Sequence, residues 1–173
     1  MTARATPTVD ALPDPAHDAA RLYQEGMIAG VIGAATVALW FLLLDSAAGR
    51  PLYTPTVLGS AIFRHAALAS PETLSVSMEM VLMFTWIHVL VFAALGGIAS
   101  RLLAMAERNP SWGFGLLLLF VVFEFGFVAA AALIASPVLR VIPWPSVLAA
   151  NLLAAAAMSA YFWRRHPQLV VSP

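Results

Sequence analysis

Cysteine and lysine are both absent from the chain, and charged residues of any kind make up only 10% of its 173 positions. Without cysteine there are no disulfides, no thiolate metal ligands and no cysteine nucleophile. Soluble domains carry about 25% charged residues. A chain with less than half that share and 61% hydrophobic residues is built for lipid. Its nine basic residues, all Arg, balance nine Asp plus Glu and are scattered along the sequence. With zero net charge and no basic patch, nucleic acid is not an expected partner, whereas the lipid bilayer is. Exclusive use of Arg beside abundant Ala points to a GC-rich bacterial genome, and hence to the inner membrane.

What is present is four long apolar runs, at about 26–45, 79–103, 113–135 and 146–163. A helix needs roughly 20 apolar residues to cross about 30 Å of hydrocarbon. Only helices and closed barrels satisfy every backbone group in lipid, and continuous runs without alternation exclude the barrel. The expected fold is therefore an all-α integral membrane protein, a four-transmembrane-helix antiparallel bundle with a short periplasmic amphipathic helix. Residues 1–22 read as a flexible polar tail, because Pro7, Pro13 and Pro15 interrupt any helix. Residues 167–173 form a short tail at the other end. The first apolar run starts only near Met27, too late for a secretory signal, and reads as a retained anchor. Arg4, Arg21, Arg101, Arg108, Arg164 and Arg165 fall on one side of the spans, and Arg50, Arg64 and Arg140 on the other. The excess of Arg on the first side places both termini in the cytoplasm, with Trp112 at the inner interface and Trp144 at the outer.

The loop after the first run contains "TPTVLGSAIFRHAALASPET". Thr54 as N-cap, Pro55 at the first helical position and an apolar face of Val57, Leu58, Ala61, Ile62 and Ala66 predict a helix over about 55–69. Too short to span, it is expected to lie on the outer surface or cap the bundle. Ser70 or Thr73 is the expected cap of the second spanning helix. In the first span Gly26, Gly30 and Gly33 make a small-residue stripe, and such residues let helix backbones approach closely in lipid. The stripe serves either the bundle or a homodimer. Gly96, Gly97 and the Ala-rich "NLLAAAAMSA" are further contact candidates.

One acid, Glu124, interrupts "LLLLFVVFEFGFVAAAALI". A charge at mid-membrane costs at least about 2.5 kcal/mol on insertion scales, so the acid needs a partner. At 1.5 Å per residue Glu124 lies about 18 Å, and His88 about 13 Å, from the outer ends of their helices, while Asn151 lies about 8 Å down. Glu124, His88, Asn151 and Thr85 form the candidate intramembrane polar site. Either it is a water-accessible proton or ligand site, or a neutral Glu124 bonded to His88 clasps two helices. Asp45, Arg50 and Glu79 gather at the periplasmic rim, where Asp45 and Arg50 are placed to pair. Glu79 and His88 lie on opposite faces of one helix. Thr36 is expected to bond back to its own helix.

Other chemistries find no support in the spacing. Haem between helices normally takes two axial His, and only His88 lies deep in a span. There is no repeated Glu-x-x-His for a di-iron bundle and no nucleophile–base pair for hydrolysis. Met78, Met80 and Met83 do not share a face as a copper(I) site requires. No cofactor or metal is expected, nor any catalytic residue. The stretches "ALWFLLLDSAAGRPLYTPTVLGSAIF", "FVVFEFGF" and "NLLAAAAMSAYFWRRHP" resemble a group of small, uncharacterised four-span bacterial inner-membrane proteins. The resemblance implies the four-span architecture and transfers no activity. Two functional classes stay open: a non-enzymatic accessory or interaction protein, with a homo-oligomer or another membrane protein as partner, and a small transport or proton-relay protein.

Overall fold

A computed structural model describes residues 15–64, 73–108 and 142–166, together with the single positions Leu118, Val121 and Phe125. Among them are four helices and no strand: α1 (Pro15–Ala47), α2 (Tyr53–Phe63), α3 (Met78–Arg108) and α4 (Trp144–Arg165). Three of these, α1, α3 and α4, are long and apolar enough to cross a membrane. Leu118, Val121 and Phe125, spaced three and four residues apart, are also helical and exposed. The rest of the predicted third span, 113–135, lies outside the described residues.

All three long helices exceed their apolar runs. The first begins at Pro15, so residues 15–22 are helical where a flexible tail was expected. The reason is positional: proline lacks an N–H that the first helical turn would leave unpaired anyway, so Pro15 opens the helix. The same logic sets Pro145 in the first turn of α4. Arg164 and Arg165 close the last turn of α4, where cations complement the helix dipole.

The surface is apolar and the interior small. Leu43, Leu82 and Trp86 are about two-thirds exposed, whereas Ala29, Ala34, Ala150 and Ala154 are buried. Water-soluble helices do the reverse, and this inversion is what lipid selects, since large apolar side chains cost nothing facing acyl chains while small ones permit close packing.

The contacts of α1 fix the topology. Leu22 meets Ser100, Gly26 meets Gly96, Gly30 meets Phe92 and Ala34 meets His88. The partners climb α1 and descend α3 four residues at a time, so the two helices are antiparallel along one row on each. Trp40 meets Ser146, Gly33 meets Met158 and Glu25 meets His166. Thus α4 is also antiparallel to α1, and α3 and α4 point the same way. Gly33 is where all three meet: a Cβ there would lie 2.6 Å from Met158 Sδ and 2.8 Å from Phe92 Cδ1.

The predicted surface helix is shorter and differently seated. Its first residue is Tyr53, and Leu52, in the left-handed region at φ 65°, takes the N-cap position without a side-chain cap. Thr54 is therefore inside the helix and caps nothing. Instead of an apolar face alone, α2 buries Thr54, Thr56, Gly59 and Ser60 beside Tyr53, Val57 and Ala61, while Ile62 and Phe63 are exposed. Gly59 lies directly against the Met80 carbonyl, which explains the buried small face: α2 is wedged against the start of α3. On its other side Tyr53, Val57 and Ala61 join Ile142 and Val147 in an apolar cluster. Residues 65–72, with His65, Ala66, Ser70 and Glu72, lie outside the described residues. The cap of α3 is neither Ser70 nor Thr73 but Ser77, one residue before the helix, whose Oγ accepts from Met80 N at 3.5 Å.

Candidate functional site

The polar groups in and near the spans fall at three levels, and each level joins α1 to another element. At mid-span, His88 of α3 reaches Ala34 O of α1 at 3.2 Å. A carbonyl only accepts, so Nε2 carries the hydrogen. The imidazole lies between Phe84 and Phe92, with ring centroids at 5.5 and 4.8 Å, which leaves it walled by aromatic faces on its own helix. The expected partner Glu124 lies outside the described residues, and the partner the geometry provides is the α1 backbone. Thr85 does not turn to His88: its Oγ1 donates to Val81 O, one turn back, at 2.7 Å. A β-branched hydroxyl in an apolar helix finds that carbonyl more readily than any distant group. Thr36 does the same with Ile32 O at 2.8 Å. Asn151 is half-buried on α4 and is engaged in an interaction.

At the end formed by the C-terminus of α1, Asp45 is 6% exposed. Its carboxylate accepts from Thr54 N and Thr54 Oγ1, both at 2.7 Å. An anion at the C-terminus of α1 faces the wrong end of that dipole, but the same anion sits on the first turn of α2, where free N–H groups need an acceptor. Asp45 therefore caps α2 from outside its sequence. Arg50 takes a different role from the ion pair expected with Asp45: its guanidinium donates to Leu74 O at 3.3 Å and lies 3.6 Å over the Tyr53 ring. Glu79 pairs with Arg64 at 2.6 Å, with both side chains more than half exposed. Trp40 Nε1 donates to Ser146 O at 3.1 Å, tying α1 to α4.

At the other end, His166 Nε2 lies 3.1 Å from Glu25 Oε2, with side chains 23% and 18% exposed, linking the residue just past α4 to α1. Ser100, buried on α3, donates to Leu22 O at 2.7 Å. Arg101 donates to Tyr23 Oη, its Cζ 4.8 Å from the ring centroid. Glu25, His166, Ser100 and Tyr23 did not emerge from the sequence. Ser100 had a readable signal, because Gly96 and Ser100 repeat the small-xxx-small spacing of Gly26 and Gly30. The Glu25–His166 pair joins positions 141 residues apart and had none.

Gly26, Gly30 and Gly33 all face partners inside this chain. A Cβ at Gly26 would stand 2.7 Å from Gly96 O, and one at Gly30 would collide with Phe92 O. Gly97, by contrast, has nothing within 4 Å of an added Cβ. Tyr161 Oη is buried without a hydrogen-bond partner among the described residues. No group of three or more His, Asp or Glu that could hold a metal ion occurs among the described residues. Two grooves lie on the outer surface among the described residues, one of about 280 Å³ beside Tyr23 and Arg101 and one of about 440 Å³ beside Phe63 and Trp86. Neither contains His88.

No known family, curated protein or solved structure matches the chain.

Proposed function

We propose that the chain is a non-enzymatic, four-span protein of the bacterial inner membrane, with both termini in the cytoplasm, that acts as an accessory or interaction component. The carrying observation is His88: the one imidazole deep in a described span donates to the Ala34 carbonyl and joins two helices. Asp45, Ser100 and Trp40 act in the same way. Each of these groups has a structural partner on another helix, which is the role an interaction component needs of them.

The fourth span is supported by direction. Since α3 and α4 both run antiparallel to α1, Arg108 and Trp144 belong to opposite ends of the molecule. The 35 residues between them have to return across it, and in lipid a helix is the economical way to do so. The ends differ in charge as well. Arg21, Arg101, Arg164 and Arg165 share one end, while Arg50 and Arg64 share the other, which supports the first as cytoplasmic. By this reading α2 is a periplasmic wedge.

The natural lack of cysteine makes the topology directly testable. Cysteine at Ser46, which is exposed, is expected to react with an impermeant maleimide in intact cells, and cysteine at Ser172 only after permeabilisation. Activity is tested in proteoliposomes loaded with a pH-sensitive dye. The full chain and its Glu124→Gln variant are expected to dissipate an imposed pH gradient no faster than protein-free vesicles. Protein-dependent flux that disappears in Glu124→Gln and His88→Phe would overturn the non-enzymatic, non-transport reading.

A further inference from the structure

Along the row where α1 meets α3, the helices are closed at Gly26, Gly30 and Gly96 but open beside Gly97. The opening is a groove of about 280 Å³ floored by Ala93 and Gly97, with Met27 and Ile98 as walls and Tyr23 and Arg101 at its mouth. Arg101 lies 23 residues past Met78, about 34 Å along the helix, and so at the opposite end of a span from Met78. Headgroup level is where Tyr and Arg are at home, with apolar stems toward the acyl chains and polar tips toward water.

We propose that this groove binds an anionic phospholipid, with its phosphodiester on Arg101 and one acyl chain along Met27, Ala93, Gly97 and Ile98. The site rests on the membrane-spanning part of the functional reading and not on the absence of enzyme activity. Arg101 has an aromatic face and a phenol oxygen as neighbours, and no carboxylate pairs with it among the described residues. Accepting one guanidinium N–H leaves the Tyr23 O–H as a donor, so both side chains present hydrogens to one anion. Stacking on the ring holds the guanidinium in place, lowering the entropy lost on binding. Arg21, Arg164 and Arg165 lie at the same end and outnumber its acids in the helices, Asp18, Glu107 and a Glu25 tied to His166, when Arg101 and Arg108 are counted with them. A zwitterionic headgroup would bring its own cation beside Arg101.

The test is native mass spectrometry of the full chain released from detergent, with dioleoyl phosphatidylglycerol or dioleoyl phosphatidylcholine added. The wild type is expected to retain phosphatidylglycerol preferentially. Arg101→Gln is expected to lower phosphatidylglycerol occupancy about fivefold, the effect of one basic side chain at a membrane surface. Phosphatidylcholine should be unaffected. Gly97→Leu, whose side chain enters open space, fills the groove and should reduce both lipids. Arg64→Gln, at the other end, should reduce neither. Tyr23→Phe keeps the ring and removes one donor, and provides a second reading should Arg101→Gln fold poorly by circular dichroism; it is expected to lower the preference for phosphatidylglycerol. Equal retention of the two lipids by the wild type, unchanged phosphatidylglycerol binding in both Arg101→Gln and Tyr23→Phe, or displacement of the lipid by millimolar inorganic phosphate would overturn the site. Loss of the site leaves the cysteine-labelling and flux outcomes untouched, so the two proposals fail separately.

Discussion

Gly30→Ala and Gly97→Ala are the same chemical change, made once inside the α1–α3 contact and once beside it. At Gly30 the new methyl would collide with Phe92 O and stand 2.7 Å from Ala93 Cα. Ordinary contact begins at 3.4 Å, so backbone has to move by about 0.7 Å from Ala93 Cα and by more from Phe92 O. No rotamer can relieve this, because both obstacles are main-chain atoms. Overpacking of this kind costs about 1–3 kcal/mol. The separation also stretches the neighbouring clamps, Ala34–His88 one turn up and Leu22–Ser100 two turns down, and interhelical hydrogen bonds in membranes are worth about 0.6 kcal/mol each. A total of about 2–4 kcal/mol is expected. At Gly97 the methyl meets nothing within 4 Å. Alanine's helix propensity favours both variants by about 1 kcal/mol in water. In detergent or lipid the dissociated helices remain helical, so that gain appears in both states and largely cancels. Gly97→Ala should therefore stay within about 0.5 kcal/mol of wild type. The assay is equilibrium unfolding in mixed micelles of rising SDS fraction, followed by near-ultraviolet circular dichroism. Equal midpoints for the two variants would refute the α1–α3 register.

The other clamps give predictions of graded size. Asp45→Ala removes the acceptor for two Thr54 hydrogen bonds and should cost about 1–3 kcal/mol, with Asp45→Asn intermediate; hydrogen exchange at the Thr54 amide should accelerate in the same order, and equal protection in all three proteins would contradict the cap. His88→Phe keeps a ring between Phe84 and Phe92 and loses one bond, about 0.6 kcal/mol, whereas His88→Ala empties the slot and should cost about 3–5 kcal/mol; the SDS midpoint separates them. Arg64→Gln breaks an ion pair whose members are both more than half exposed, so its effect on that midpoint should stay under about 1 kcal/mol and vanish at high salt.

Three of the expected spans were legible because their cause is one-dimensional. Length and apolarity decide whether a helix crosses lipid, and both can be counted along the chain. The glycine stripe was legible too, since i to i+4 spacing places Gly26 and Gly30 on one side of any helix. Which helix received the stripe was not, because that depends on a match with Gly96 and Phe92 set by packing and not by either segment alone. The wedge α2 was half read. Thr-Pro correctly signalled a helix start near Thr54, yet the cap came from Asp45, nine residues upstream, which local rules cannot see. The apolar pattern pointed Ile62 inward, while contact with the Met80 backbone selected the small side of α2 instead. His88 was singled out as the partner of Glu124, which lies outside the described residues. The acceptor His88 meets among the described residues is a backbone carbonyl, and carbonyls are anonymous in a sequence.

In lipid, apolar area gives helices no reason to prefer each other over acyl chains, so association has to come from close backbone contact and polar clamps. Both are concentrated on α1. Its glycines meet α3 at Gly26 and Gly30 and meet α3 and α4 together at Gly33, and its polar or carbonyl groups bind α3 at Leu22 and Ala34, α4 at Glu25 and Trp40, and α2 at Asp45. Helix α1 is therefore the spine to which α3 and α4 attach, while α2 is capped by Asp45 of α1 and packs on α3. Weakening it at one level leaves anchors at the other two, so single clamp variants should loosen one end while the molecule stays assembled. Gly33 is the exception, because there one side chain would push against Met158 and Phe92 at once.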